Sequence, residues 1–337
     1  MARRASAIKK LRNQRHGTVI VDSGDALLAG LPRGGEANKG QINQAETMLR
    51  GQGLIGLDAM AVGEVDLAVG IRRLRRLARQ TSQTLLCANL VAGGRAPFPP
   101  RKLVTTGGVK VGLTAVLEPP EHDVRAKEAL RRARLTLKDP VAAARAQVRA
   151  LRADGAELVV LLAHVGIERA KALAREVEGV HLVVVGHSGH RLATPAREGK
   201  TLLVESGRRG QSLGHVQLRL GAGWTPDGAL EDDSQRHVLY DEVTKEIERM
   251  AKSRPSTDQD PRLVRARSLA ERLQKLRPPA ARHTLVARLV FLDETVPDDP
   301  ALKGLVDAER PSWRVSRPNR RPPGRIRMKP LRGVQLK

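Results

Sequence analysis

The chain has 337 residues, with 60 Lys and Arg against 36 Asp and Glu, a formal charge of +24, and an apolar content of 40 % that can bury one large core or two small ones. Five aromatic residues are too few for a base-stacking platform, and the single cysteine, Cys87, excludes an intrachain disulfide, a four-thiolate zinc site and a CxxC redox pair. No segment reaches the roughly 20 apolar residues of a membrane helix, and the basic opening MARRASAIKKLRNQRH leads into no apolar signal core, so as written the chain is expected in the cytoplasm.

Between residues 18 and 220, short runs rich in Val and Leu alternate with helical patterns. In chain order the pattern predicts a strand at 18–22, a helix at 41–50, a strand at 59–62, a helix at 71–80 and a strand at 85–89. A loop rich in Pro and Gly follows at 93–101, then a strand at 110–116, a helix at 141–154, a strand at 158–163, a helix at 167–177, and strands at 181–185, 201–205 and 215–220. Several runs are apolar at nearly every position, as strands covered on both faces must be, and the βαβ rhythm implies α/β architecture.

After residue 221 the rhythm breaks. Segments 241–252 and 261–276 read as charged amphipathic helices and 284–292 as a late strand. The division expected is a body at 1–222, a helical extension at 223–309 and a basic disordered tail at 310–337. That last segment holds ten bases, five prolines and no acid. Such a tail either holds nucleic acid weakly through counterion release or is simply solvated, and both readings stay open.

In open α/β sheets ligands gather beyond the carboxyl ends of the strands, so the polar residues that follow each run carry the functional information. They are Ser23-Gly24-Asp25, then Gly63-Glu64-Val65-Asp66, Asn89, His164-Val165-Gly166 and Gly186-His187-Ser188-Gly189-His190. Carboxylate and imidazole together suit Mn, Fe or Zn. Taken singly, His164 and His187 also fit structural histidines, and Glu64 and Asp66 also fit surface or cap residues.

The order of Gly24-Asp25, the element at 63–70, LLCANL, VGLTAV, LLAHVG, Gly186-His187 and ESGRRGQSLGHVQL resembles the metallophosphoesterase domain of the 5′-nucleotidase family over about residues 2–220. The resemblance implies a calcineurin-like fold, two sheets sandwiched between helices, and a pair of divalent ions that hydrolyses phosphate monoesters, nucleotides above all. It also implies Asp25 as the metal-bridging aspartate and His164 and His187 as metal-binding histidines. Glu64 and Val65 fall where the family has the Asn and His of its Gly-Asn-His-Glu motif, with Asp66 at the Glu. Glutamate keeps an oxygen donor, but valine cannot serve as the general acid. The second ligand of the family's GHxH motif falls on Gly189, with His190 one residue further on as a substitute. Asn89 and Arg208, with Arg209 beside it, are read as substrate contacts.

The family's first strand, with its Asp-x-His, is expected to be missing, which would leave the edge of the 18–22 strand exposed. An export signal upstream of Met1 would move the protein to the cell envelope. Two functions stay open: a metal-dependent phosphomonoesterase weakened by these departures, or a catalytically inactive scaffold of the same fold.

Overall fold

A computed structural model of the chain describes residues 1–13, 17–32, 34–118, 123–253, 260–275 and 282–313. The chain opens with α1 (Ala2–Arg12), reaches β1 (Val21–Asp22) and returns through α2 (Lys39–Ile55). A capping box fixes the start of α2: Asn38 accepts from the Gln41 amide while the Gln41 side chain takes the Asn38 amide, and left-handed Gly56 ends the helix. Next come β2 (Ala59–Ala61), the single-turn α3 (Glu64–Leu67), α4 (Ile71–Gln80), β3 (Leu85–Leu86) and β4 (Leu90–Ala92). β5 (Arg101–Thr106) and β6 (Val109–Leu117) form a hairpin, and α5 (Val124–Arg132) leads into β7 (Leu135–Leu137). The order continues with α6 (Pro140–Ala153), β8 (Leu158–Val165), α7 (Ile167–Glu176), β9 (Leu182–His187), β10 (Ala196–Glu198), β11 (Thr201–Val204) and β12 (Ser212–Arg219). Last are β13 (Glu231–Asp232), α8 (Ser234–Ser253), α9 (Pro261–Lys275), β14 (Thr284–Phe291), α10 (Pro300–Glu309) and a 3₁₀ turn at Arg310–Trp313.

Two sheets carry the body. One is a small parallel sheet in the order β1-β2-β3, the other a six-stranded sheet in the order β10-β11-β9-β8-β6-β5. The four inner strands of the larger sheet are parallel, and β5 and β10 are antiparallel edges. Parallel strands need cover on both faces, and alternation along β8 supplies it. Val159, Leu161, Ala163 and Val165 pack with Val148 and Leu151 of α6 and Leu173 of α7, while Leu158, Val160 and Leu162 share a core with Ala59, Ala61 and Leu86 of the small sheet. On the far side of the small sheet, Leu49 of α2 and Leu74 and Leu77 of α4 pack with Met60 and Leu85. The layers therefore run helix, sheet, sheet, helix, which is the sandwich that the motif order implies.

The late strand β14 pairs antiparallel with the whole of β12, from Ser212 opposite Phe291 to Arg219 opposite Thr284. α10 docks beside α1, with Leu302 buried among Ala2, Ala5, Ile8 and Ile55.

Three expectations need correction. The 93–101 loop ends one residue early, because Arg101 already pairs with Thr114 at the start of β5. Residues 310–313 are not part of a disordered tail: they form an ordered 3₁₀ turn in which the Trp313 indole Nε1 donates to Thr47 Oγ1 at 3.3 Å. The rest of the tail, and with it the expected nucleic-acid contact, lies outside the described residues. Finally, β1 pairs with β2 alone among the described strands, yet its approach is covered. Ile20 is buried against α1, and Arg4 pairs with Asp22 at 3.1 Å.

Candidate metal centre

The carboxyl ends of β1, β2, β8 and β9 meet where the two sheets come together. Asp25 follows β1, Glu64 opens α3 shortly after β2, and His164 and His187 sit near the ends of β8 and β9. One donor atom from each of these four residues lies within 4.8 Å of the other three. His164 Nε2 is 2.8 Å from Glu64 Oε2 and 3.3 Å from Asp25 Oδ2, and His187 Nδ1 is 2.8 Å from Glu64 Oε1. The two imidazoles stand edge to face, with centroids 5.3 Å apart.

Each donor is aimed by its local structure. Alternation places His164 on the inter-sheet face with Leu158, Val160 and Leu162, and its Nδ1 donates to the Ser23 carbonyl at 2.7 Å. That bond fixes Nδ1 as a donor and leaves Nε2 facing the carboxylates. By parity His187 belongs with Val183 and Val185 on the opposite face. It escapes that face at a left-handed φ of 75°, which turns the chain just beyond the strand. Asp25 is also left-handed, at φ 55°. Its turn is held by Asp66, whose carboxylate accepts from the amides of Asp25, Leu27 and Gly63, and Asp25 Oδ1 in turn accepts from the Val65 amide at 2.9 Å.

Glycines make this close approach feasible. A Cβ at Gly24 would lie 2.7 Å from His164 Nδ1, one at Gly186 would lie 2.6 Å from the Ser23 carbonyl, and one at Gly63 would collide with the Asp25 carboxylate.

The electrostatics call for a positive charge in the middle. Burial works against a charged imidazole at His164, but hydrogen bonds and charge from Asp25 and Glu64 outweigh it and raise its pKa well above the ordinary value. His187 is raised by its hydrogen bond to Glu64, despite partial burial. Burial alone would push the Glu64 carboxyl up, yet the two imidazoles hold it well below the carboxylate range. Asp66, fully buried and beside the Asp25 carboxylate, is pushed up to about 8. Glu64 is buried and pairs with both imidazoles, Oε2 with His164 Nε2 and Oε1 with His187 Nδ1.

Two imidazole nitrogens and two carboxylates within one sphere, with glycines where any side chain would intrude, fit a divalent cation of the Mn, Fe or Zn type. Among the described residues this is the one group of three or more His, Cys, Asp or Glu whose donor atoms converge.

The remaining sequence candidates lie outside the cluster. His190 is exposed, and its amide donates to Glu205 at 2.9 Å. Asn89 is 1 % exposed, and its side chain is spent on the fold: the amide donates to the Leu117 and Lys138 carbonyls while Oδ1 accepts from the Leu117 amide. Arg208 is exposed on the next loop, its stem against Gly189, and Arg209 beside it is exposed and left-handed at φ 61°. Val65 faces the apolar core rather than the cluster. Two supports are not singled out by the sequence: the Ser23 carbonyl, which no side-chain pattern reveals, and Glu205, an acid closing an apolar run.

No family model matches the chain. It is 26 % identical over 259 residues to mouse 5′-nucleotidase, covering 71 % of this chain and 42 % of that protein. Among solved structures it is similar to a 5′-nucleotidase precursor from Thermus thermophilus, with a TM-score of 0.63 and 18 % identity, covering 92 % of this chain and 52 % of that one. The calcineurin-like phosphoesterase YfkN from Bacillus subtilis gives a TM-score of 0.62 at 17 % identity, covering 93 % and 89 %. The chain thus spans less than half the length of the mouse protein it matches. With this order of motifs, this sandwich and these relatives, the chain has a calcineurin-like phosphoesterase fold and is similar to the 5′-nucleotidases.

Proposed function

We propose that the chain is a metal-dependent phosphoesterase acting on small phosphate monoesters, nucleotides among them, at a centre that holds one divalent cation through Asp25, Glu64, His164 and His187. The observation that carries this reading is the convergence of those four donors from two sheets, with the Glu64 carboxylate buried between the two imidazoles. Support for nucleotides comes from the relatives, named 5′-nucleotidase in mouse and trifunctional nucleotide phosphoesterase in Bacillus subtilis.

When bound, a divalent cation supplies Lewis acidity toward a phosphoryl oxygen and toward water. The chain's own residues do the rest. The Asp25 and Glu64 carboxylates balance the charge, and the Ser23 carbonyl keeps the His164 tautomer fixed with Nε2 inward. Arg208, exposed beyond Gly189, offers a guanidinium for a phosphate oxygen. Position 65 contributes no proton, so the leaving group departs unassisted from that side.

The direct test is hydrolysis of p-nitrophenyl phosphate by the purified chain in Mn²⁺ and in Zn²⁺, with His164→Ala and a chelated sample alongside. The reading predicts turnover that both controls abolish. Metal uptake without turnover favours the inactive scaffold, and turnover that survives chelation contradicts the proposal.

A further inference from the structure

The turn that follows His187 has one bond back to its own strand, from the Ser188 amide to the Gly186 carbonyl at 3.0 Å. Immediately after its left-handed residue the chain runs Ser188-Gly189-His190 and then doubles back toward β10. That turn is gripped by Glu205, which follows β11 and is 3 % exposed. Both Glu205 oxygens lie on the Ser188 hydroxyl, at 2.6 and 2.7 Å, and Oε1 also accepts from the His190 amide at 2.9 Å. The Glu205 carbonyl accepts from the Leu192 amide at 3.0 Å, and Arg191 bridges to Ser206, so the segment is tied on both sides of the acid.

The arrangement parallels the other strained ligand. Asp66 takes three backbone amides around left-handed Asp25, and Glu205 takes one amide and one hydroxyl beside left-handed His187. Burying a carboxylate is costly, and an acid kept inside a fold needs compensating donors. For Glu205 the Ser188 hydroxyl and the His190 amide fill that need, and both belong to the turn that follows His187.

We infer that Glu205 is a positioning residue: by holding Ser188 and His190 it fixes the turn that brings His187 Nδ1 to Glu64, and so sets the affinity of the centre for its cation without touching it. This rests on the metal-centre reading above. Outer partners that orient a ligand typically account for about 10- to 100-fold in metal affinity.

The test is calorimetric titration of the full chain with Zn²⁺ and with Mn²⁺, beside thermal unfolding of the same samples. Glu205→Ala is expected to bind about 10- to 100-fold more weakly, and Glu205→Gln, which keeps an acceptor for the His190 amide, to recover most of the loss. Thr201→Val deletes a buried hydrogen bond to the Val180 carbonyl on the same strand. It is expected to lower the melting temperature comparably while leaving metal affinity within about 2-fold, a gap well under the roughly tenfold that outer partners typically control. A Glu205→Ala affinity no weaker than that of Thr201→Val overturns the proposal. Should Glu205→Ala fail to fold, Ser188→Ala deletes the donor instead, and unchanged affinity there overturns it equally. His187→Ala separates the two levels: wild-type affinity in that variant refutes the metal centre itself, whereas weak binding there with wild-type affinity in Glu205→Ala refutes the positioning role alone.

Discussion

Left-handed backbone at a residue other than glycine costs of order 1–3 kcal/mol and persists only where its surroundings impose it. Asp25 and His187 both adopt it, and both aim a donor into the same cluster. This strain, like the Ser23 carbonyl, is an aspect of the centre that no reading of residue types discloses. What is legible is the set of polar residues closing apolar runs, since Asp25, His164 and Glu64 follow directly from strand ends. Asn89 shows the weakness of that rule: it closes a run in the same way but is buried under β6, where its amide braces the backbone. Position 65 carries the sharpest chemical consequence. With valine there, packed into the apolar core, expulsion of a poor leaving group lacks the proton donor that typically contributes about 10²- to 10⁴-fold. The chain should therefore turn over p-nitrophenyl phosphate at least about 10²-fold faster than a nucleoside 5′-monophosphate. Equal kcat values on the two would show that another residue supplies the proton.

At the scale of elements, the long and strongly patterned ones are legible and the short or polar ones are not. β8 is apolar throughout and α6 carries a clear apolar stripe, whereas β7 and β10 have three residues each, and β10 reads Ala-Arg-Glu. α1 escapes notice because it buries mainly small side chains, Ala2, Ala5 and Ala7 beside Ile8. α4 is legible for the opposite reason, with Leu74 and Leu77 inward and Arg72, Arg73, Arg75, Arg76 and Arg79 outward. None of these five arginines forms an ion pair among the described residues, while elsewhere Arg131 and Arg132 share Glu128 and Arg169 pairs with Glu118. Like charges three and four apart, two of them in the first turn against the helix dipole, make α4 electrostatically frustrated. Arg72→Glu removes one repulsive charge, places an acid in the first turn and pairs with Arg76. It should raise stability by about 0.5–1 kcal/mol in urea unfolding at low salt, and the gain should shrink in about 0.5 M salt. Lower stability in the variant would contradict this account of the helix.

Across the whole molecule, the body and the residues after 221 are joined through a ring stack. His181 at the start of β9 accepts from the Val159 amide and bonds the Pro226 carbonyl, Trp224 lies against both His181 and His283, and His283 accepts from the Gly221 amide. The layered sandwich is legible because the βαβ rhythm is strong, but this joint is not, since its rings come from distant parts of the chain. Burial, reinforced by the Arg152 charge, lowers the His181 pKa to about 4. The unfolded chain takes up that proton near pH 6.5 and the folded chain does not. The contribution is therefore complete above pH 6.5, declines as the pH falls from 6.5 to 4, and amounts to about 3 kcal/mol in all. His181→Gln should flatten that part of the acid limb in urea midpoints measured between about pH 7 and 4.5, and an unchanged limb would assign it to other groups. The central claim is that donors from two separate sheets share one coordination sphere, and metal analysis of the full chain after equilibration with Zn²⁺ and desalting tests it most directly. One ion per chain, lost in His164→Ala, is the predicted result. No bound ion in the wild type, or an ion that His164→Ala retains, would contradict it.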